Sequence, residues 1–496
     1  MKWANFLHFY QPSNQQPDIL GAIVAQSYRP IIDGIKKNKH VQLTININGA
    51  LFELLHKCGY QDIIDDIKNL VAEGRVEITG SAKYHALLPL LSDEEIERQI
   101  ELNTETLRHF LGEYTPNGFF PPEMAYNKRI GKIAEKLGFK WVILDEISCG
   151  GEVGQVDYNQ IYKIPGSKLK VFFRERRLSN LIMSAVVRSS GSLLEAMSTE
   201  LKSGRYVITA MDAETFGHHR PGLEKMLFDV FSTEEFKLIK ISDLENYYKE
   251  DKEVEPTETT WASSKQDIDK KIQFLSWSDP ENHIHKWQWD LTNLVLKEVY
   301  GMDKMNARYE LVRKKMDTAL ASDHFWWASA KPWWSLEMIE YGAYNLLDTL
   351  RHIPDVKPEI LSEGRDYYEK IISTAFNWQR TGKIRSMMQE QNSILRIPFK
   401  DRTFGTDGPK KGEYYAFLDM MKDLEKSSVK KQEYEKAILW RDAIHKIKNK
   451  LDIYDTINVI DLLRVEIPHK EVEDTLEKYR AKYYKIRGGQ PEQRGS

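Results

Sequence analysis

The chain has 496 residues, of which 41% are hydrophobic and 29% are charged, a balance typical of a globular protein of one to three domains. Its formal net charge of -3 argues against a nucleic-acid-binding protein, and no apolar run approaches the roughly 18 residues of a membrane span. Two cysteines, Cys58 and Cys149, are too few for a disulfide scaffold, and we expect both to be inert. The start, MKWANFLHFYQP, is too polar for a signal-peptide core, so we expect a cytoplasmic protein.

Short apolar segments alternate with amphipathic helices in the first half of the chain. One helix is predicted over residues 62–73, and another runs from the capping box Ser92–Glu95 to about Leu111. Repeated strand–helix units with near-continuous apolar strands favour a parallel sheet, and seven or eight of them favour a closed or nearly closed barrel. The predicted strands are residues 2–8, 41–48, 75–79, 118–120, 140–144, 169–173, 205–211 and 236–241.

The pattern changes after about Asp251. The segment EVEPTET, residues 253–259, is polar and contains a proline, which is typical of a linker. Beyond it the periodicity predicts helices over 290–300, 305–320 and 336–350, and the final segment is a Lys/Glu-rich helical pattern. We therefore predict a barrel of residues 1–254, a helical domain of residues 255–400 that completes the active site, and a charged helical extension of residues 401–496.

Polar side chains follow the carboxyl ends of the predicted strands. In a parallel barrel these ends converge at one mouth, where active sites lie. An otherwise apolar set of strands with titratable groups at one end is therefore typical of a site built on a barrel. The groups concerned are His8, Gln11, Asn46, Asn48, Glu77, His85, Glu123, Asp145, Glu146, Asp212, Glu214, His218 and His219.

Two of these carboxylates stand out by their context. Glu123 follows two prolines, which stiffen the backbone, and Asp212 comes directly after the apolar run VITAM. Cleavage of a glycosidic bond needs such a pair, because one group attacks or stabilises the anomeric centre and the other protonates the leaving oxygen. Each residue could instead be a structural carboxylate that caps the next helix, and the residues alone leave both interpretations open.

Tryptophan is concentrated in one part of the helical region. Aromatic faces stack on the apolar face of a sugar ring, although tryptophans in a helical domain also simply fill its core. We expect the region after residue 255 to close over the barrel mouth and to bring tryptophans to the site. Of the 12 tryptophans, eight lie in this stretch: Trp261, Trp277, Trp287, Trp289, Trp326, Trp327, Trp333 and Trp334.

Four short segments, taken in order, resemble glycoside hydrolase family 57. They are LHFYQP (7–12), GRVEITG (74–80), FFPPEMAY (119–126) and MDAETFGHH (211–219). The resemblance implies an α-glucan-active enzyme with an incomplete (β/α)7 barrel followed by an α-helical domain. It further implies Glu123 as the nucleophile, Asp212 as the general acid/base, and retention of configuration through a covalent glycosyl-enzyme, with no cofactor or metal.

The resemblance also indicates residues that bind the α-glucan or maltooligosaccharide substrate. Glu77 takes the place of a sugar-contacting residue, and SDHFWWAS (322–329) takes the place of a fifth segment in the helical part. Tyr10 stands where the family usually has His. The predicted substrate-binding set is His8, Gln11, Glu77, His85, Glu214, His218, Asp323, His324 and Trp327.

Three members of this set have alternative interpretations. His85 fits either a core position or a sugar subsite. Glu214 fits a group that sets the pKa of Asp212, a sugar contact, or the start of the next helix, where a carboxylate is favoured by the helix dipole. His218 fits either a substrate contact or a structural role in its loop.

The resemblance leaves several reactions open. We expect α-amylase-like hydrolysis of α-1,4-glucans, with 4-α-glucanotransferase or α-glucan branching activity as alternatives. A metal-dependent polysaccharide deacetylase would need an Asp and two His in ligand geometry, for which His218, His219, His283 and His285 are the available imidazoles. A non-catalytic glucan-binding protein that keeps the fold is the other alternative.

Overall fold

The computed structural model describes residues 1–185, 187–233, 236–331, 333–392, 399–400, 412–452, 459–467, 471–472 and 474–479. Ten strands lie in the first half of this described part. They are β1 (Lys2–Phe9), β2 (Leu43–Ile47), β3 (Val76–Ile78), β4 (Gly118–Phe119), β5 (Trp141–Asp145), β6 (Ile161–Lys163), β7 (Lys170–Arg174), β8 (Val207–Asp212), β9 (Lys237–Leu238) and β10 (Glu250–Glu253).

The strands form two five-stranded sheets that together make an incomplete barrel. One sheet has the order β3-β2-β1-β8, with β9 also paired to β1, and the other has the order β10-β6-β7-β5-β4. All pairs are parallel except β6 with β7. A parallel bridge between Gly80, which lies beyond β3, and Phe119, the last residue of β4, joins the two sheets. The α/β barrel class predicted from the sequence is therefore confirmed.

The second junction, between β7 and β8, is where the barrel stays open. Side chains replace part of the backbone ladder there: Arg174 Nε donates to the carbonyl of Ala210 at 2.8 Å, and the amide of Ala210 donates to Ser179 Oγ at 3.1 Å. One backbone bond, from Glu175 N to Ile208 O at 2.7 Å, remains. Among the described residues, β7 and β8 therefore form no continuous ladder.

The predicted strands are confirmed in position, with small differences at their ends. The strand expected over 236–241 has only two ladder residues, Lys237 and Leu238. Two strands were missed. Ile161–Lys163 is too short to show an alternation, and Glu250–Glu253 consists of charged residues that pair with β6 through its backbone.

The helices of the barrel half surround the sheets, and their apolar faces pack against the strands. Ser92 caps one of them by accepting a hydrogen bond from Glu95 N, as the sequence predicts. A π-helix, Val24–Tyr28, interrupts the first helical region. The α-helices are Pro17–Ile23, Arg29–Lys37, Gly49–Lys57, Gln61–Ala72, Asp93–Leu111, Lys128–Lys136, Arg176–Met183, Ser190–Ala196, Ser198–Ser203 and Leu223–Ser232.

The segment 253–259 is not the free linker that its composition indicates. Val254 N donates to Lys163 O at 2.9 Å, and Thr257 N donates to Ser148 O at 2.8 Å. Thr259 forms an antiparallel bridge with Tyr126, and its side chain is fully buried. The polar composition misled the linker prediction because these residues are fixed through their backbone groups, which composition does not reveal.

The helical region after this segment packs onto the barrel mouth. An antiparallel bridge between Ala86 and Ala321 ties the loop after β3 to the start of the helix Asp323–Trp326. One core cluster contains both barrel residues such as Phe120 and helical residues such as Ile284. The helices are Lys265–Asp269, His283–Tyr300, Tyr309–Ala319, Asp323–Trp326, Leu336–His352, Pro358–Thr381 and Lys383–Asn392.

The C-terminal part contains helices with their own core. The helices Glu413–Lys430, Tyr434–Lys448 and Val459–Glu466 pack around Phe417, Trp440 and Leu463. The extreme end, including GGQPEQRGS, lies outside the described residues. None of the helices in the described ranges is long and apolar enough to cross a membrane.

Candidate active site

The carboxyl ends of β1 and β8 place His8 and Asp212 side by side. The two residues are Cα partners in the parallel ladder, and His8 is also the partner of Asn46 on β2. His8 Nδ1 lies 2.8 Å from Asn46 Oδ1. Burial lowers the pKa of His8 to about 4, so its ring is neutral at physiological pH.

Glu123 reaches the same mouth from the turn that follows β4. Its backbone has a φ of 62°, in the left-handed region that non-glycine residues rarely adopt. Trp261 stabilises this turn through two hydrogen bonds: its amide donates to Glu123 O at 3.0 Å, and its indole Nε1 donates to Glu123 Oε2 at 2.7 Å. A strained turn that is fixed by two hydrogen bonds directs the Glu123 carboxyl into the mouth.

Four carboxyl groups gather here, and all have raised pKa values. Burial and the charge of Asp212 raise the pKa of Glu123 to about 8, against the hydrogen bond from Trp261. Burial raises the pKa of Asp212 to about 6, although the charge of Arg174 opposes this rise. Burial and the charge of Asp212 raise the pKa of Glu214 to about 8, and burial raises the pKa of Asp323 to about 6.

Burial is the main cause of the raised pKa of Asp212, and the higher pKa of the pair belongs to Glu123. The guanidinium of Arg174 explains the difference. Arg174 is buried, forms an ion pair with Asp145 at 2.7 Å, and stabilises the charged form of Asp212. Asp145 is consequently a structural carboxylate rather than a site residue.

Three rings form a stack beside the carboxyl groups. His85 lies between His8, at 5.1 Å, and Tyr10, at 4.1 Å, measured between ring centroids. The backbone of His85 has a φ of 56°, and its Nδ1 lies 3.1 Å from Ser322 Oγ and 3.9 Å from Glu123 Oε1. Its buried Nε2 has no hydrogen-bond partner among the described residues. The subsite interpretation of His85 therefore has geometric support.

Tyr10 is a residue of this site that the sequence-based assignment left out. Its hydroxyl donates to Asp323 Oδ2 at 2.5 Å and thereby joins the first barrel strand to the helical region. The signal was available, because Tyr10 occupies the position of the family's usual His. The partner could not be deduced, since Asp323 lies 313 residues further along the chain.

Glu214 and Gln11 also join the cluster. Gln11 Nε2 donates to Glu214 Oε1 at 2.9 Å, and the hydroxyl of Tyr28 donates to the same oxygen. Glu214 is buried and lies two residues after Asp212. Glu214 lies in the first turn of the short 3-10 helix Ala213–Thr215, which fits the helix-start interpretation, and the charge of Asp212 acts on its carboxyl group, which fits the electrostatic one.

Glu77 does not join the other predicted site residues. It is the ladder partner of Thr44, two residues below the level of His8 and Asn46. Its carboxylate accepts hydrogen bonds from Thr44 Oγ1 at 3.1 Å and from the backbone and hydroxyl of Ser242. At about 3.3 Å per residue, Glu77 lies roughly 6.6 Å deeper in the barrel than the mouth. These contacts fix the Glu77 carboxylate below the mouth, and its place in the substrate-binding set stays a prediction.

His324 packs into the helical region, and its predicted role in binding substrate stays a prediction. Its ring is buried against Gly342, where an added Cβ would lie 2.1 Å from the ring, and its Nδ1 lies 3.1 Å from Gln288 Nε2. Burial lowers its pKa to about 3. The side chain turns into the helical core because its neighbour Asp323 takes the position facing the mouth.

The side chains of the last two predicted binding residues contact groups other than the four carboxyl groups. His218 Nδ1 contacts Gln26 Oε1 at 2.7 Å, on the partly exposed outer side of the loop after β8. Trp327 packs edge-on against Trp326 at 4.9 Å and Trp333 at 6.1 Å. The expectation that the helical region brings a tryptophan to the site is confirmed by Trp261, which hydrogen-bonds Glu123.

The arrangement offers acids and neutral rings rather than a metal-ligand set. Among the residues that the structure describes, no three His, Cys, Asp or Glu side chains are placed to hold a metal ion. His218 and His219 contact each other, and the Nε2 of His285 lies 2.8 Å from the carbonyl of Phe325. Neighbouring carboxyl groups at a barrel mouth are suited to acid/base and nucleophilic chemistry.

Comparisons with known proteins support the same family. The model of "Glycosyl hydrolase family 57" matches residues 21–259. An α-amylase of Pyrococcus horikoshii is 24% identical over 226 residues, covering 45% of this chain and 35% of that protein. A 4-α-glucanotransferase of Thermococcus litoralis is 23% identical over 223 residues, covering 44% of this chain and 33% of that protein.

Solved structures show the same fold at low sequence identity. The structure of a family 57 branching enzyme from Thermococcus kodakaraensis has a TM-score of 0.57 and 17% identity, and covers 74% of this chain and 94% of that chain. In contrast, the matches to the α-amylase and the glucanotransferase span only about a third of those relatives. The family model and the relatives together show that residues 21–259 are similar to glycosyl hydrolase family 57, and the solved structure shows the same fold.

Proposed function

We propose that this chain is a retaining glycoside hydrolase of α-1,4-glucans, with Glu123 as the nucleophile and Asp212 as the general acid/base. One observation carries the proposal: two carboxyl groups, from the ends of β4 and β8, are close enough that the charge of Asp212 raises the pKa of Glu123. Opposed carboxyl groups at one mouth are what glycosidic cleavage requires. The names of the relatives, α-amylase and 4-α-glucanotransferase, favour an α-glucan as the substrate.

In the first step a carboxylate oxygen of Glu123 attacks the anomeric carbon while the Asp212 carboxyl protonates the leaving glycosidic oxygen. The glycosidic bond breaks and a covalent glycosyl-enzyme forms. Its formation removes the negative charge of Glu123, so Asp212, now a carboxylate, can accept a proton from the incoming acceptor. The acceptor oxygen then attacks the anomeric carbon and releases Glu123.

The residues around this pair are proposed to bind the sugar. Neutral His8 and His85 offer imidazole nitrogens beside Glu123, and His85 Nε2 is the stronger candidate because it has no partner among the described residues. Asp323, fixed by Tyr10, and Glu214 with Gln11 offer oxygen and nitrogen groups for sugar hydroxyls. Trp327 and His218 are proposed only for outer contacts.

Incubation of the protein with maltooligosaccharides and analysis of the products tests the reaction. Short products alone indicate hydrolysis. A ladder of longer α-1,4 chains indicates glucanotransferase activity, and new α-1,6 points indicate branching. All three reactions pass through the same glycosyl-enzyme. The product analysis therefore identifies the acceptor, and the variants described next test the roles of Glu123 and Asp212.

The variant Glu123→Gln should abolish turnover of every α-glucan, whereas Glu113→Gln, a matched change at an exposed position, should leave turnover unchanged. Asp212→Asn should slow natural glucans severely and spare the first-step cleavage of an aryl glycoside, whose leaving group needs little protonation. If the natural-substrate rate of Asp212→Asn stayed within a few-fold of the wild type, the acid/base role would belong to another residue.

A further inference from the structure

The π-helix Val24–Tyr28 has a local cause in the sequence. Arg29 N donates to Val24 O, five residues earlier, which is the hydrogen-bond span of a π-helix. Pro30 has no amide hydrogen, so it cannot form the α-helical bond to the carbonyl of Gln26. The proline therefore leaves a widened turn and a carbonyl without that helical donor. Such turns are rare and frequent at functional sites.

Three consecutive residues of this π-helix contact the acid/base loop, defined here as residues 212–219. Two of the three, Ser27 and Tyr28, are fully buried. Each contact is a hydrogen bond from a different side chain, which a regular α-helix would direct to different sides. The bonds are Gln26 Oε1 with His218 Nδ1 at 2.7 Å, Ser27 Oγ to the carbonyl of Ala213 at 2.8 Å, and the Tyr28 hydroxyl to Glu214 Oε1.

The backbone of the loop also packs directly on the π-helix. Gly217 has a φ of 104°, and a Cβ at this position would lie 1.9 Å from the carbonyl oxygen of Gln26. Only glycine can occupy this position. The carbonyl concerned is the one that Pro30 leaves without an α-helical donor, so the distorted turn and the loop fit each other at that atom.

We propose that the π-helix Val24–Tyr28 is a positioning device for the acid/base loop, and that Tyr28 is a positioning residue that acts on Asp212 through Glu214. This inference rests on the proposed acid/base role of Asp212. The π-helix fixes both ends of the loop, at Ala213 and at Gly217–His218, while Tyr28 fixes the Glu214 carboxylate between them. Asp212, which begins the loop, is thereby held at the end of β8.

The contact has an electrostatic consequence that a purely structural role would not have. Glu214 faces Asp212, Gln11 and Tyr28, while Asp212 faces Glu214, Arg174, Glu123 and neutral His8. The Tyr28 hydroxyl stabilises ionised Glu214 and so lowers its pKa. Without it Glu214 stays protonated to higher pH, so the higher apparent pKa of the Asp212–Glu214 pair should rise. The lower apparent pKa, which belongs to Asp212, should change little, because Glu214 is already protonated where Asp212 ionises.

Two variants and one control test the proposal. Tyr28→Phe removes only the hydroxyl, and Pro30→Ala restores the missing helical donor to the π-helix. Tyr158→Phe is the matched control, because its buried hydroxyl has no hydrogen-bond partner within the described part of the chain. The first measurement is hydrogen–deuterium exchange of residues 212–219 in the full chain, which does not depend on activity. We expect faster exchange there in both variants and unchanged exchange in the control.

The second measurement is the pH dependence of turnover. For Tyr28→Phe we expect kcat on a natural glucan to fall about 10-fold or more. KM should change little, and the higher apparent pKa, to which Glu214 contributes, should move to higher pH. Cleavage of an activated aryl glycoside should be nearly unaffected.

Unchanged exchange in residues 212–219 of both variants would overturn the proposal, whatever the kinetics. Faster exchange with kcat and the pH profile as in the wild type would overturn the link to Asp212. If the wild type cleaved no α-glucan but exchange rose in both variants, the positioning of the loop would stand and the proposed function would fail.

Discussion

The indole of Trp261 decides how readily Glu123 ionises. Trp261→Phe removes the N–H that donates to Glu123 Oε2 at 2.7 Å and keeps an aromatic ring against Phe120 and His8. The pKa of Glu123, already raised to about 8 by burial and by Asp212, should rise further because this bond opposes the rise. A hydrogen bond to a charged group contributes about 1.5–3 kcal/mol and one pKa unit is about 1.36 kcal/mol, so the shift should be about one to two units.

The shift changes where the pair holds its proton. With pKa values of about 8 for Glu123 and about 6 for Asp212, the pair holds a single proton between these pH values. The proposed reaction uses the distribution with the charge on Glu123 and the proton on Asp212, which the Trp261 hydrogen bond favours. Without that bond, the population of molecules with a charged Glu123 and a protonated Asp212 should fall about 10- to 100-fold, and the reaction rate should fall with it.

The assay is kcat/KM of the free enzyme for a maltooligosaccharide substrate, measured from about pH 4 to about pH 10. For Trp261→Phe we expect a lower plateau, an upward shift of the higher apparent pKa, and little change in the lower one. Trp334→Phe is the matched control, because its indole donates to Gln379 Oε1 at 3.1 Å and not to the site. An unchanged profile in Trp261→Phe, or an equal loss in Trp334→Phe, would refute the reasoning.

Three further outcomes are expected. In steady-state kinetics, Tyr10→Phe should raise KM about 3- to 10-fold with a smaller effect on kcat, since Asp323 loses one hydrogen bond worth about 1 kcal/mol. A fall in kcat as large as the rise in KM would contradict this expectation. Asp145→Asn should lower the free energy of unfolding by about 3–5 kcal/mol in urea titrations, because it leaves the charge of buried arginines unpaired. Asp62→Asn, a control at an exposed ion pair, should lower the free energy of unfolding by about 1 kcal/mol or less. Glu123→Gln should raise Tm at about pH 8 and not at about pH 4. The raised pKa of the folded Glu123 carboxyl means that the stability of the wild type falls as pH rises from the unfolded pKa to the folded one. An equal gain in Tm at both pH values would argue against a buried charge.

Several features of the site follow from local sequence. The apolar runs that end in His8 and Asp212 are strands, and parallel strands bring their carboxyl ends to one edge, so the meeting of these two residues was predictable. The two prolines before Glu123 predicted a directed side chain, and the structure shows a tight turn there. The Tyr10 position was visible as a departure from the family pattern, although its consequence was not.

The level of a residue within the barrel needs the register of its strand. Glu77 lies on a correctly predicted strand and in a family-like segment, yet it pairs with Thr44 and binds Ser242 below the mouth. The sequence indicates which face of a strand a residue occupies, because side chains alternate. It does not indicate how far along the barrel axis the residue lies, because strand register depends on neighbouring strands.

The sequence by itself determined the barrel class, the order of its strand–helix units, and the two carboxylates at strand ends, because each depends on short-range patterns of apolar and polar residues. Only the tertiary structure decided the partners of those carboxylates. Trp261 reaches Glu123 across 138 residues, and Asp323 reaches Tyr10 across 313. Such contacts follow from the way the helical region packs on the barrel mouth. That packing also removes water from the carboxyl groups and raises their pKa values, an effect that no local pattern of residues encodes.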